Sequence, residues 1–260
     1  MNSNEWFNIL DFEEYKKNIN KYEKKATSQN GEDGIIAHIF SNIGIKNKKS
    51  CEIGFHWNEA NTINLMRNNW DCLFIDANKL QVQLFWNRFK RNYKGTNYQK
   101  SRAINHEINI DNINQILSEH DFKGEVDFLS IDIDGNDYFV LKNITCCNPR
   151  VICAEYNASF GPHLKVSIPL DSERTDQQVD YWGASYMAFV DLLSNYNLVS
   201  VVAGVNLFFV RKDIPLNNLE VIENAWQPPY TSTYENNKPI HENRLKEQYD
   251  KLIITELHYI

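Results

Sequence analysis

Two apolar runs late in the chain, 198–203 (LVSVVA) and 205–210 (VNLFFV), are separated by one residue, Gly204. Strands joined this tightly must pair antiparallel, because a parallel pair needs a crossover of a dozen or more residues. Upstream the spacing is different. Apolar runs at 51–55 (CEIGF), 72–76 (CLFID), 126–133 (VDFLSIDI) and 151–156 (VICAEY) read as buried strands, with a more polar one near 97–104. Between them apolar residues fall at helical spacing: Ile63 with Met66, Leu84 with Phe85 and Phe89, Ile113 with Ile116 and Leu117, and Phe139 with Val140 and Ile144. Strand–helix units of about 20–30 residues predict a parallel sheet with helices on both faces. The expected fold is therefore α/β: a Rossmann-like, doubly wound, seven-stranded sheet, mostly parallel, with an antiparallel last strand.

Helices are also expected ahead of and behind this array. Asn30-Gly-Glu-Asp33 reads as a helix start with Asn30 as N-cap, Ile35, Ile36, Ile39, Phe40 and Ile43 form its apolar face, and Gly44 ends it. A second helix is expected at 184–195. The stretch from Asn157 to Trp182 has Gly161, Pro162 and Pro169 but no periodicity. Long loops of this kind inside a compact domain usually bind something, so it is assigned to acceptor recognition, with Arg174 as an anion contact or an ordinary surface charge. The domain reading is a charged lead-in helix over 1–27, a catalytic domain over 28–213 and an extension over 214–260. That extension holds Pro228-Pro229 and a polar helix near 241–252. It is expected to cap the site or to make a homodimer.

Composition narrows the function. A chain of 260 residues with a formal net charge of −7 is poorly suited to nucleic acid, where affinity comes from neutralising phosphates. The cluster Arg88, Lys90, Arg91 and Lys94 reads as a solvated helix face. Five cysteines (Cys51, Cys72, Cys146, Cys147, Cys153) show neither zinc-site spacing nor the density of a disulfide scaffold. The first 25 residues are charged, and no apolar run approaches the roughly 18 residues of a membrane span. The expectation is a cytoplasmic protein with small-molecule chemistry and no membrane partner.

In an open parallel sheet ligands bind beyond the carboxyl ends of the strands, where strand order reverses. A dinucleotide would require G-x-G-x-x-G after the first strand. This chain has only Gly54, preceded by the anionic Glu52 and followed by Phe55, His56 and Trp57. A pyrophosphate is disfavoured there, and a compact zwitterionic tail fits. Asp76 ends the second strand 22 residues beyond Gly54, where an acidic residue accepts hydrogen bonds from ribose hydroxyls. A nucleoside with an amino-acid tail describes S-adenosylmethionine.

Several motifs together resemble the class I S-adenosylmethionine-dependent methyltransferases, and within them the FkbM-like branch. They are Ser28-Gln29-Asn30-Gly31-Glu32-Asp33, Glu52-Ile53-Gly54, Asn61-Thr62, the long block from Leu129 to Tyr138 (LSIDIDGNDY), Glu155-Tyr156-Asn157 and Gly183-Ala184-Ser185, spanning roughly 28–212. The resemblance implies that Glu52 and Gly54 line the methionine end, Asp76 holds the ribose and Ser101-Arg102-Ala103 contacts the adenine, with Phe55 and Ala77 also at the cofactor. It places Asp132 at the amino group and Gln29 over the cofactor. The family usually has a second glycine soon after Gly54. Here the stretch is His56-Trp57-Asn58-Glu59, which makes His56 and Asn58 candidate contacts. Such proteins are associated with surface-polysaccharide and natural-product tailoring, so a small-molecule or saccharide hydroxyl is the expected acceptor.

Transfer to a hydroxyl is helped by a base within hydrogen-bond reach. The candidates are Glu155, His163 and Asp134, followed by His56 and Tyr156. Asp132, Asp134, Asp137 and Glu155 in one crevice would repel one another unless a cation or raised pKa values relieve them. The cation is either the cofactor's own or, less favoured, a divalent metal on Asp134, Glu155 and Asn157. Asp137 is expected to cap the helix after Gly135. Two rival readings are a metal-dependent nucleotide-sugar glycosyltransferase using Asp132 and Asp134, and a non-catalytic cofactor-binding relative.

Overall fold

A computed structural model describes residues 19–92, 100–171, 182–223 and 225–227, with backbone pairs at 234–235, 238–239 and 258–259. The lead-in segment before Ile19, Arg174, Lys94, Pro228-Pro229 and the helix expected near 241–252 lie outside the described residues, as do the side chains of Lys90 and Arg91.

In chain order the elements are α1 (Glu32–Ile43), β1 (Lys49–Ile53), α2 (Ile63–Arg67), β2 (Asp71–Asp76), α3 (Lys79–Asn92), β3 (Arg102–Asn105), α4 (Ile113–Glu119) and β4 (Gly124–Ile131). Then follow α5 (Asp137–Asn143), β5 (Cys147–Glu155), the two-residue β6 (Val166–Ser167), α6 (Tyr186–Leu192), β7 (Tyr196–Val202) and β8 (Asn206–Arg211). Seven strands form one sheet in the order β3-β2-β1-β4-β5-β8-β7. The first five pair in parallel, and β8 is antiparallel to both β5 and β7. The last strand thus slots between its two neighbours. Ala203 and Gly204, with φ of 55° and 64°, close the β7–β8 turn, where Val205 N–H donates to Val202 O at 2.9 Å. Two successive positive φ values are what a tight hairpin matched to strand twist requires.

Alternation along each strand explains the apolar runs. Cys51, Ile53, Leu73, Ile75, Leu129 and Ile131 pack on one face with α4, α5 and α6. Cys72, Phe74, Phe128, Val151 and Cys153 pack on the other with α1, α2 and α3. A parallel sheet covered on both sides leaves no strand face for polar residues. Asp127, on β4, is a charged residue buried there, and it is well partnered. Its carboxylate accepts the backbone N–H groups of Lys46, Asn47 and Lys48 at 2.7–3.0 Å and an ion pair from Arg150 at 2.6 Å. It thereby fixes the entry into β1.

Two local expectations are corrected. Asn30 does not cap α1: Gly31 occupies that position with no side-chain cap bond. The first turn works in reverse, because Glu32 accepts Asn30 N–H at 2.7 Å and Asp33 gathers the N–H groups of Ala26, Thr27 and Ser28. The loop after β5 is also less irregular than expected. A 3-10 turn (Ala158–Phe160) and β6 fold around a small cluster of Phe160, Val166 and Ile168. The chain end returns to it, with His258–Tyr259 antiparallel to Val166–Ser167. Among the described residues no helix is long and apolar enough to cross a membrane.

Removing one partner of a buried ion pair leaves an uncompensated charge, at a cost of about 3–5 kcal/mol. Asp127→Asn is expected to lower the unfolding free energy in urea by about 3 kcal/mol, and a loss below about 1 kcal/mol would contradict this role.

Candidate active site

A cavity of about 500 Å³ opens at the carboxyl ends of β2, β1 and β4 and continues to β8 and the start of α1. Strand order reverses between β1 and β4, so this is the switch point where an open α/β sheet binds ligands. Gly54, with φ of 77°, makes the crevice. A Cβ there would sit 1.6 Å from the backbone O of Asp132, far inside van der Waals contact. The close approach is locked by Gly54 N–H to Ile75 O at 2.8 Å and Asp132 N–H to Ile53 O at 2.9 Å.

Of the residues anticipated at the cofactor, Gln29, Glu52, Gly54, Phe55, His56, Asp76 and Asp132 line this cavity, and so does Asp134. Asp76 is held by Phe55 N–H at 3.1 Å on one oxygen and Asn78 N–H at 2.7 Å on the other. The ring of Phe55 packs against Phe74 and Phe85, so it anchors the loop in the core. Glu52 accepts the N–H groups of Asn61 (2.8 Å) and Thr62 (2.7 Å), at the start of α2. Burial pushes its carboxyl up to about 8, against the pull of those two donors.

Six residues expected at the site lie outside this cavity lining. Ser101, Arg102 and Ala103 stand at the entry of β3, toward the amino-terminal end of the strands and away from the cavity; Arg102 pairs with Asp71 at 2.9 Å and donates to His120 O. The exit of β3 is Asn105, which donates to Asp76 O and Ala77 O. Ala77 and Asn58 are exposed and do not line the cavity. Asn58 instead accepts from Arg88. His163 is exposed on the turn after the 3-10 helix and also lies outside the cavity lining.

The acidic cluster is real but differently composed. Carboxylate oxygens of Asp132, Asp134 and Glu155 lie within 4.8 Å of one another, a set that could hold a hard cation. Asn157 is not part of it: its amide oxygen accepts Ser159 N–H and its amide nitrogen donates to Trp182 O, both at 2.9 Å. Glu155 follows Ala154, whose register partner is Ile131, which places it beside Asp132. Burial, then the neighbouring charge of Asp132 and a hydrogen bond shared with it, raise the Glu155 carboxyl well above the usual range. One of its oxygens is buried without a hydrogen-bond partner among the described residues. Asp137 accepts Ile133 N–H at 2.7 Å and Gly135 N–H at 2.9 Å. It closes the turn before α5, and burial followed by the charge of Asp132 raises it to about 7. Tyr156 is buried and hydrogen-bonded to Gln227 O at 2.9 Å, a structural role.

Sequence reasoning missed the far wall. Glu32 and Asn206, both buried, line the cavity and bond to each other at 3.0 Å. Nothing short-range links α1 to β8. Among the described residues six carboxyl groups (Glu32, Glu52, Glu59, Asp76, Asp132, Asp134) and no lysine or arginine line the space. Such a cavity suits a cationic ligand and repels a diphosphate.

A family model described as the methyltransferase FkbM domain matches residues 7–181, more than half of the sequence. The chain belongs to the FkbM methyltransferase family. It is an S-adenosylmethionine-dependent methyltransferase with the class I fold. This FkbM-family chain is also similar to solved structures at low identity. An O-methyltransferase from Bacillus cereus in complex with SAH is 16% identical over 80% of this chain and 96% of its own, with a TM-score of 0.48. The N-terminal domain of EvdMO1 with SAH bound is 12% identical over 71% and 80%, at 0.45. Magnesium protoporphyrin IX methyltransferase from Synechocystis PCC 6803 with bound SAM is 10% identical over 82% and 98%, at 0.44. No curated protein matches the chain significantly. The family assignment rests on the sequence match and not on the solved structures.

The raised carboxyls carry a pH signature. Folding favours the protonated forms of Glu52 and Asp137, so their stabilisation is complete below about pH 4, near their unfolded values. It is lost as pH rises through about 7 for Asp137 and about 8 for Glu52. The melting temperature of the ligand-free protein is expected to fall between about pH 5 and pH 8.5. A rise over that range would contradict the assignment.

Proposed function

We propose that this methyltransferase transfers the methyl group to a hydroxyl oxygen of a small-molecule or saccharide acceptor, in the tailoring of surface polysaccharide. The carrying observation is the cavity that pairs the β1–β4 crevice at Gly54 with a lining rich in carboxylates. S-adenosylmethionine, when bound, supplies a methyl group on a sulfonium, and its ammonium adds a second positive charge. Asp76, whose two oxygens each still have a lone pair beyond the amides of Phe55 and Asn78, would receive the ribose hydroxyls. Asp132 would receive the ammonium beside Gly54, while Gln29 and His56 cover the methionine end. Gln81 and Asn78, at the start of α3, flank the ribose side of the cavity.

Methyl transfer is largely a matter of in-line positioning, and the acceptor proton must leave. Glu155 is the group for that proton, with Asp134 beside it at the open side of the cluster. In the free protein burial and the neighbouring Asp132 raise the Glu155 carboxyl well above its usual range. Positive charge drawn to the cluster favours its ionised form, so filling the site readies Glu155 to act as a base. The same lining disfavours a nucleotide sugar, whose diphosphate would face six carboxylates. The acceptor class rests on the family's association with polysaccharide tailoring and on the polar far wall formed by Glu32 and Asn206.

Binding of S-adenosylmethionine is expected to be accompanied by proton release at neutral pH. Calorimetry in two buffers of different ionisation enthalpy reads that release directly. S-adenosylhomocysteine, which lacks the sulfonium charge, should release less. Glu155→Gln should bind S-adenosylmethionine within about fivefold of wild type while releasing fewer protons. Equal release by wild type and variant would remove Glu155 from this role.

A further inference from the structure

The loop that follows Gly54, Phe55–Ala60, contains no glycine, yet it turns sharply enough to bring His56, Glu59 and Ala60 into the cavity wall. Without glycine a loop has fewer backbone conformations available, and here contacts from outside hold the one adopted. On α3, Gln81 and Arg88 are seven residues apart, about two helical turns. Gln81 accepts Trp57 N–H at 3.0 Å. Arg88 donates to the backbone O of Asn58 at 2.9 Å and to its side-chain oxygen. Its guanidinium also lies 5.8 Å from the ring centroid of Trp57 and 5.5 Å from that of Phe89. From the other side Lys25 pairs with Glu59 at 2.8 Å and Ala60 N–H donates to Thr27 O at 2.9 Å.

We infer that Arg88 is a positioning residue for the methyl donor: it clamps Trp57 and Asn58 to α3 and so holds His56 and Glu59 against the methionine end of the cavity. Arg88 does not line the cavity itself. The inference rests on the donor occupying this site. It also gives one member of the basic cluster a function other than solvation. The guanidinium serves both halves of the clamp, since one terminal nitrogen, Nη1, donates to both oxygens of Asn58 while the delocalised charge lies over the Trp57 ring. Lysine keeps the charge but not the planar group over the indole.

The test is the affinity of the full-length protein for S-adenosylhomocysteine, read by calorimetry alongside the melting temperature. Arg88→Met is expected to weaken binding about tenfold, and Arg88→Lys to recover part of it, with melting temperatures within about 3 °C of wild type. Asn58→Ala, which removes one of the two acceptors, should weaken binding about threefold, and adding Arg88→Met to it should cost less than the two separate losses combined. Unchanged affinity in both Arg88→Met and Asn58→Ala would overturn the clamp. So would equal loss in Arg88→Met and Arg88→Lys accompanied by a matching fall in melting temperature, which is the mark of general destabilisation. Failure of wild type to bind S-adenosylhomocysteine would instead defeat the cofactor placement on which the clamp depends.

Discussion

The ends of β1 and β4 approach each other so closely at Gly54 and Asp132 that no side chain fits between them. That contact sets the geometry of the crevice. It brings Asp132 beside Glu155 on the next strand, and it turns the chain after β1 so that Phe55 N–H meets Asp76 at the tip of β2. Three neighbouring strand ends are thereby tied into one wall by backbone hydrogen bonds and one carboxylate. The helices contribute from outside: α2 presents its first amides to Glu52, and α1 places Glu32 opposite β8.

A wall of carboxylates is costly to build in a folded protein, and the arrangement shows how the cost is limited. Glu52 and Asp137 each accept two backbone N–H groups, and burial beside Asp132 raises the Glu155 carboxyl well above its usual range. Burial and mutual charge raise the carboxyls of Glu52, Asp137 and Glu155, which limits the repulsion among them. On the function proposed above, positive charge entering the site would draw on that reserve and ready Glu155 to take the acceptor's proton.

Much of the fold could be read from spacing. The five parallel strands and the hairpin follow from short contiguous apolar runs, the helical spacing between them and a single-residue gap, all local signals. Gly54, Asp76 and Asp132 could be read as well, because strand exits are where ligands bind in such sheets. The errors share a physical cause. The third strand is half-exposed and polar, so its apolar run is weak and its phase uncertain by several residues; Ser101-Arg102-Ala103 were therefore placed at the exit when they form the entry. Asn157 looked like a ligand because of its position after β5, but its amide is consumed in shaping the turn. Glu32 and Asn206 meet across 174 residues, a contact that no local pattern encodes. Arg88 was legible as a charge and not as a clamp, since its partners depend on how the loop after Gly54 turns.

The account stands or falls on where the methyl donor sits. A crystal structure with S-adenosylhomocysteine tests this most directly. The sulfur and amino-acid tail should lie between Gly54 and Asp132, with both ribose hydroxyls on Asp76 and the open side of the sulfur facing Glu155. Density for the ligand elsewhere, or a ribose turned away from Asp76, would contradict it.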